Sequence, residues 1–117
     1  MANKKVLQLL IVFALAFSTL IALAHGSPLV MKQHIMEACM PAIKKKPPYE
    51  IPSEKCIGYL VDYNLKAVCG VINAEDETRI SIERFVAIAQ QFGAKLEPGT
   101  RCGTHYIVPN PPPGAHL

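Results

Sequence analysis

Four cysteines, Cys39, Cys56, Cys69 and Cys102, all lie downstream of an apolar run from Val6 to Ala24 that carries no charge. This order constrains the fold more than any other feature. Lys4 and Lys5 precede the run, and the small-x-small triplet Ala22-Leu23-Ala24 closes it. A basic start, an apolar stretch and a small-residue ending make residues 1–24 a secretory signal peptide. An uncleaved anchor helix is the competing reading, because the run is near bilayer-spanning length. An even cysteine count in a short exported chain reads as disulfides, and four cysteines permit three pairings. Zinc is the weaker alternative. No C-x2-C or H-x3-H spacing occurs, and His25, His34, His105 and His116 are scattered.

Export also resets the composition. Of 117 residues 93 remain after the leader, and the formal charge of +3 falls to +1 when Lys4 and Lys5 leave with it. A chain of that size has difficulty stabilising a large core without covalent help. A large enzyme, a multidomain protein and a fibrous rod are excluded. A nucleic-acid binder would show a basic face with aromatic side chains. The basic run Lys44-Lys45-Lys46 instead suits the negative end of a helix.

Helical periodicity appears three times after the leader. Leu29, Met36, Met40 and Ile43 share one face of a helix over about 29–43, which Pro41 bends or ends. The proline-rich stretch from Pro47 to Pro52 is a loop. Ser53 is a good N-cap for a second helix reaching about Cys69, with Ile57, Leu60, Val61, Leu65, Val68 and Ile72 at helical spacing. Glu75, Asp76 and Glu77 precede a third helix whose buried stripe is Ile82, Phe85, Val86, Ala89 and Phe92, closed by Gly93. Pro98-Gly99 marks a turn, and no strand pattern competes in the remainder. The fold expected is all-α: a small disulfide-linked bundle of three to four helices over 25–108, with an extended Pro-rich segment over 109–117.

The cysteine neighbourhoods resemble those of the plant lipid-transfer, seed-albumin and protease-inhibitor superfamily, whose eight cysteines run C…C…CC…CxC…C…C. Cys56-Ile57-Gly58-Tyr59-Leu60 resembles its C-C-x-x-L segment with Ile57 in place of the second Cys. Ala67-Val68-Cys69-Gly70 resembles C-L-C-G with Ala67 in place of the first. Phe92-Gly93 followed by Cys102 resembles C-G…C with Phe92 in place of Cys, and Glu37-Ala38-Cys39-Met40-Pro41-Ala42 resembles E-x-C-x-P-A. The first family cysteine would fall near Leu29.

The resemblance is closest to the type-2-like and resistance-signalling lipid-transfer proteins. Their pairing implies that two whole bridges are missing here, with Leu29 facing Ala67 and Ile57 facing Phe92 in their place. It implies that Cys39–Cys56 and Cys69–Cys102 remain.

The resemblance implies a monomeric, secreted, extracellular (apoplastic) protein that is not an enzyme and needs no cofactor. Its partner would be a fatty acid or lysolipid, with transient contact to a membrane surface and none to nucleic acid. The acyl chain would lie in a cavity between the helices. The candidate wall is Met36, Met40 and Ile43 from the first helix and Leu60, Val61, Leu65 and Val68 from the second. Phe85, Val86, Ala89, Leu96, Tyr106 and Val108 complete it. Gln33 and His34, with Tyr106 or Arg101, are candidates for the polar head group. No catalytic constellation stands out: Ser27, Ser53 and Ser81 lack a nucleophile motif. Two other classes stay open, an inhibitor of a protease or amylase acting through the loop Lys44 to Pro52, and an interaction protein acting through the Pro-rich tail.

Cleavage is expected after Ala24. Intact-mass and N-terminal sequencing of material secreted by a eukaryotic host should find His25 first. A chain beginning at Met1 in the membrane fraction would establish the anchor instead.

Overall fold

A computed structural model describes residues 3–110, with the side chains of 18–25 left aside. The Pro-rich segment expected over 109–117 lies almost wholly outside the described residues. Helix α1 covers Lys4–Gly26, and Asn3 caps it by accepting from the Lys5 N–H at 3.1 Å. Ser27 is extended and separates α1 from α2, Pro28–Ile43. Pro28 takes the first helical position, where its missing N–H costs nothing. Among the described residues, no helix is long and apolar enough to cross a membrane.

The remaining helices are α3 (Glu54–Asp62), α4 (Leu65–Val71), the single turn α5 (Asp76–Arg79) and α6 (Ile82–Gln91). The all-α, disulfide-linked character is as expected, and α2 has its expected extent. Pro41 neither ends α2 nor shortens it; the helix runs through to Ile43, and Lys44 N–H closes it on the Met40 carbonyl at 2.9 Å.

The expected second helix breaks in two. Tyr63 is extended, and Asn64 accepts from the Ala67 N–H at 3.2 Å, so a local side-chain bond restarts the helix as α4. The acidic turn and the third helix likewise separate at Ile80, because Ser81 caps α6 through the Arg84 N–H at 3.2 Å.

The C-terminal end of α6 follows sequence logic closely. Gly93 adopts φ 75°, a left-handed conformation that glycine takes without steric cost. Gly93 N–H donates to the Gln90 carbonyl and Ala94 N–H to the Ala89 carbonyl, which is a Schellman closure. The segment beyond was expected to be loop. It contains a two-residue antiparallel pair, β1 (Arg101–Cys102) with β2 (Tyr106–Ile107), in register Arg101↔Ile107 and Cys102↔Tyr106. Gly103, at φ 72°, makes the turn, and a side chain there would press on the Glu77 carboxylate at 2.9 Å.

Two bridges form, Cys39–Cys56 joining α2 to α3 and Cys69–Cys102 joining α4 to β1. This is the pairing implied by the resemblance. One contiguous core extends from Met31 to Val108 among the described residues and contains all four cysteines. Residues 25–117 therefore include the described core and both cross-links. Ile43, Leu60, Leu65 and Ala89 have no exposed surface, and Phe85, Val86 and Val68 have 1%.

The two apolar pairs that the resemblance sets in place of bridges behave differently. Phe92 packs against the core while staying partly exposed, and Ile57 is likewise partly buried. Leu29 is 59% exposed, which overturns its expected buried contact with Ala67. It lies in the first turn of α2, ahead of Met31, where the core begins.

Phe85→Ala should cost about 3–5 kcal/mol in chemical denaturation, as for a fully buried aromatic, and Phe92→Ala should cost less. Equal losses at the two positions would contradict this packing. Opening Cys39–Cys56, which spans 17 residues, should cost roughly 3 kcal/mol, and Cys69–Cys102, spanning 33, roughly 4.

Candidate functional site

A groove of about 650 Å3 lies between α2 and α5. Leu29, Lys32, Gln33, Met36, Glu37 and Met40 come from α2, and Asp76 and Arg79 from α5. The α2 residues fall at alternating steps of three and one, the spacing of a single helix face. Met36 is buried at the floor, Met40 is partly buried, and Leu29 stands exposed at one end. Methionine is flexible and polarisable, which suits an adaptable apolar contact.

The polar wall is fixed by a small network. Lys32 Nζ donates to Asp76 Oδ2 at 2.8 Å and to the Val71 carbonyl at 3.3 Å. Asn73 and Asp76 cap each other reciprocally: the Asp76 N–H donates to Asn73 Oδ1 at 2.9 Å, and the Asn73 N–H to Asp76 Oδ2 at 3.0 Å. This is the capping-box exchange built from Asn and Asp. Burial pushes the Asp76 carboxyl up, but its bonds to Lys32 and Asn73 and the charges of Lys32 and Arg79 hold it below its ordinary value. Arg79 is exposed and lays its guanidinium 3.9 Å from the Met36 sulfur, while Gln33 donates to Glu37 at 3.2 Å.

The expected cavity wall divides. Gln33, Met36 and Met40 line this groove. Ile43, Leu60, Leu65, Val68, Phe85, Val86, Ala89, Leu96 and Val108 are buried members of the core instead. Most leave 2% or less of their surface exposed, whereas the wall of a water-wide tunnel would keep reachable surface. The interior they were expected to open is filled by their own packing. Val61 points outward and is 50% exposed. Tyr106 lines a separate 380 Å3 pocket with Lys45, Glu77, Glu83 and His105; burial, then the Glu83 charge, raises its hydroxyl pKa.

The head-group candidates also scatter. His34 leaves the groove and joins an aromatic cluster, with its Nδ1 and the Tyr63 hydroxyl sharing a 2.6 Å hydrogen bond. Its ring lies 5.3 Å from Tyr59 and 6.0 Å from Tyr63, centroid to centroid. Burial, followed by Tyr59 and Asp62, raises the Tyr63 pKa. Arg101 folds back onto the Thr104 carbonyl across the turn of the hairpin.

Sequence reasoning missed Lys32, Glu37, Asp76 and Arg79, and it placed Leu29 in the core rather than in the groove. The helical spacing of Lys32 with Met36 and Met40, and of Glu37 with Gln33, was a signal for the first two. Asp76 and Arg79 arrive from a turn some forty residues away, and nothing local announces that meeting. Among the described residues, no group of three or more His, Cys, Asp or Glu could hold a metal ion. No family model, curated protein or solved structure matches the chain.

Asp76→Ala should cost about 2–4 kcal/mol, because it strands the Lys32 ammonium and removes a cap. A carboxyl whose folded pKa is depressed stabilises above its unfolded value and loses that contribution as pH falls through the folded one. The parent's advantage over Asp76→Asn should therefore be complete above about pH 4 and fade below it. Denaturation midpoints across the acid range check this. A gap that stays constant to the lowest pH would refute the ion pair's contribution.

Proposed function

We propose that this chain is an exported carrier of single-chain amphiphiles, a fatty acid or lysolipid, held along the α2 groove rather than inside the bundle. The observation that carries the reading is the groove itself. Its size is within the roughly 300–1,000 Å3 of small-molecule sites. It has an apolar track from Leu29 past Met36 to Met40 and an exposed cation, Arg79, beside it. Lys32 is in direct contact with Asp76 at 2.8 Å, so the exposed Arg79 is the wall cation better placed to meet a carboxylate or phosphate.

Two further features support the reading. The bridges Cys39–Cys56 and Cys69–Cys102 agree with the pairing of the lipid-transfer superfamily that the cysteine neighbourhoods resemble. Disulfides in a chain that begins with a signal-like run fit an oxidising, extracellular setting. In this reading residues 1–24 are the leader and the carrier does no chemistry on its cargo.

Each methylene that leaves water contributes about 0.8 kcal/mol, so affinity should rise with chain length until the groove is full. Displacement of a fluorescent fatty-acid probe by lysolipids of increasing length measures this on oxidised protein. Micromolar competition is expected, strengthening with length. Leu29→Glu should weaken it about tenfold by placing a charge on the apolar track. Arg79→Glu should weaken fatty acid more than zwitterionic lysolipid. No displacement by the parent, or full affinity in both variants, would exclude the groove as the site.

A further inference from the structure

The loop between α2 and α3 carries an apolar tip and a basic flank that the groove does not use. Ile51 is 90% exposed, although nothing in the loop forces an isoleucine there. Tyr49 beside it is also exposed, as are Lys45, Lys46 and Lys55. Lys44 to Lys55 contains four lysines against two glutamates, Glu50 and Glu54, so it carries a surplus of two positive charges in a mature chain whose formal charge is +1.

The tip is held out rather than left loose. Cys39–Cys56 ties the two helices that bracket the loop. The Glu50 N–H donates to the Pro41 carbonyl at 3.0 Å, and the Tyr49 hydroxyl to the Lys45 carbonyl at 3.4 Å. The Arg84 guanidinium sits 3.5 Å over the Tyr49 ring and also donates to the Ala42 carbonyl at 2.9 Å. Lys44 pairs with Ile80 in an isolated bridge, and the Ser81 N–H bonds the Ile43 carbonyl at 2.7 Å. A braced loop loses little entropy when its tip is immobilised.

We propose that this loop docks the protein on an anionic lipid bilayer, with Ile51 inserted below the headgroups and Lys45, Lys46 and Lys55 on the phosphates. A protruding branched side chain flanked in the chain by long amphipathic ones suits a fluid interface, which needs no complementary pocket. Protein hot spots instead cluster at the well-packed centre of a broad patch. Lysine stems reach along apolar surface while their ammonium groups stay at headgroup level. Anionic leaflets attract such clusters in proportion to the number of basic residues near the surface. The proposal does not depend on amphiphile binding in the α2 groove.

Vesicle co-sedimentation tests it, using oxidised residues 25–117 so that the apolar leader cannot insert by itself. The parent should pellet with vesicles of phosphatidylcholine mixed with phosphatidylglycerol, and weakly or not at all with phosphatidylcholine alone. Lys45→Glu with Lys46→Glu should lower the affinity for anionic vesicles about thirtyfold or more. Ile51→Asp should lower it about tenfold or more. Both variants change exposed positions, and helical circular dichroism with intact bridges confirms their fold. Leu29→Glu, which tests the groove, should sediment like the parent. Equal binding to neutral and anionic vesicles, or parent-like binding by either loop variant, overturns the proposal. So does a parent that ignores vesicles but binds an acidic polypeptide, with Ile51→Asp binding it equally well; that outcome assigns the loop to an acidic macromolecule.

Discussion

Cys69–Cys102 joins the part of the molecule that forms helices to the part that cannot. Beyond Gly93 the chain contributes Ala94, Leu96, Cys102 and Val108 to the core, with two two-residue strands as its regular structure. A hairpin that short does not persist alone in water. The bridge places it, and short-range bonds then fix it. The Gly103 N–H reaches the Cys69 carbonyl at 3.0 Å, Thr104 donates to the Glu77 carboxylate, and buried Gln90 donates to the Pro109 carbonyl at 3.1 Å. The same Glu77 is two residues from Arg79 in the groove wall. Holding the hairpin therefore also steadies α5, and with it one side of the candidate site.

What could be read from the sequence was local. The apolar spacing of α2 and α6, the Ser53 cap and the Gly93 closure each depend on a few neighbouring residues, and each appears where those residues place it. The breaks at Tyr63 and Ile80 were also local, since Asn64 and Ser81 are good caps, but the hydrophobic period runs straight through both and hides them. Leu29 shows the opposite failure. Its spacing fits the α2 stripe, yet the core begins at Met31, and the start of a helix faces whatever lies beyond the bundle. The groove needed Asp76 to reach Lys32 across 44 residues, and periodicity carries no information about such a meeting.

The filled interior changes what the apolar inventory means. Apolar side chains in a short chain can either line a cavity or satisfy the core, and close-packed interiors leave few voids larger than water. With two bridges to hold it, the bundle gains stability from contacts that a tunnel would forfeit. Ile43, Leu60, Leu65 and Phe85 make those contacts. Among the apolar residues the core leaves exposed, Leu29 stands on α2 and Tyr49 and Ile51 on the loop that follows it, while Val61 and Ile107 stand elsewhere.

That placement links the two proposed surfaces through one helix. Met40, at the end of the groove's apolar track, precedes Lys44 by four residues, about one helical turn or roughly 6 Å along the axis. A loop resting on a bilayer would hold the Met40 end of the groove close to the headgroups, and the Leu29 end farther out. An amphiphile leaving the bilayer would then meet apolar surface within one turn of the membrane. If both surfaces act as proposed, the order of residues along α2 would give the groove a direction: entry near Met40 and the loop, with the exposed Leu29 at the far end.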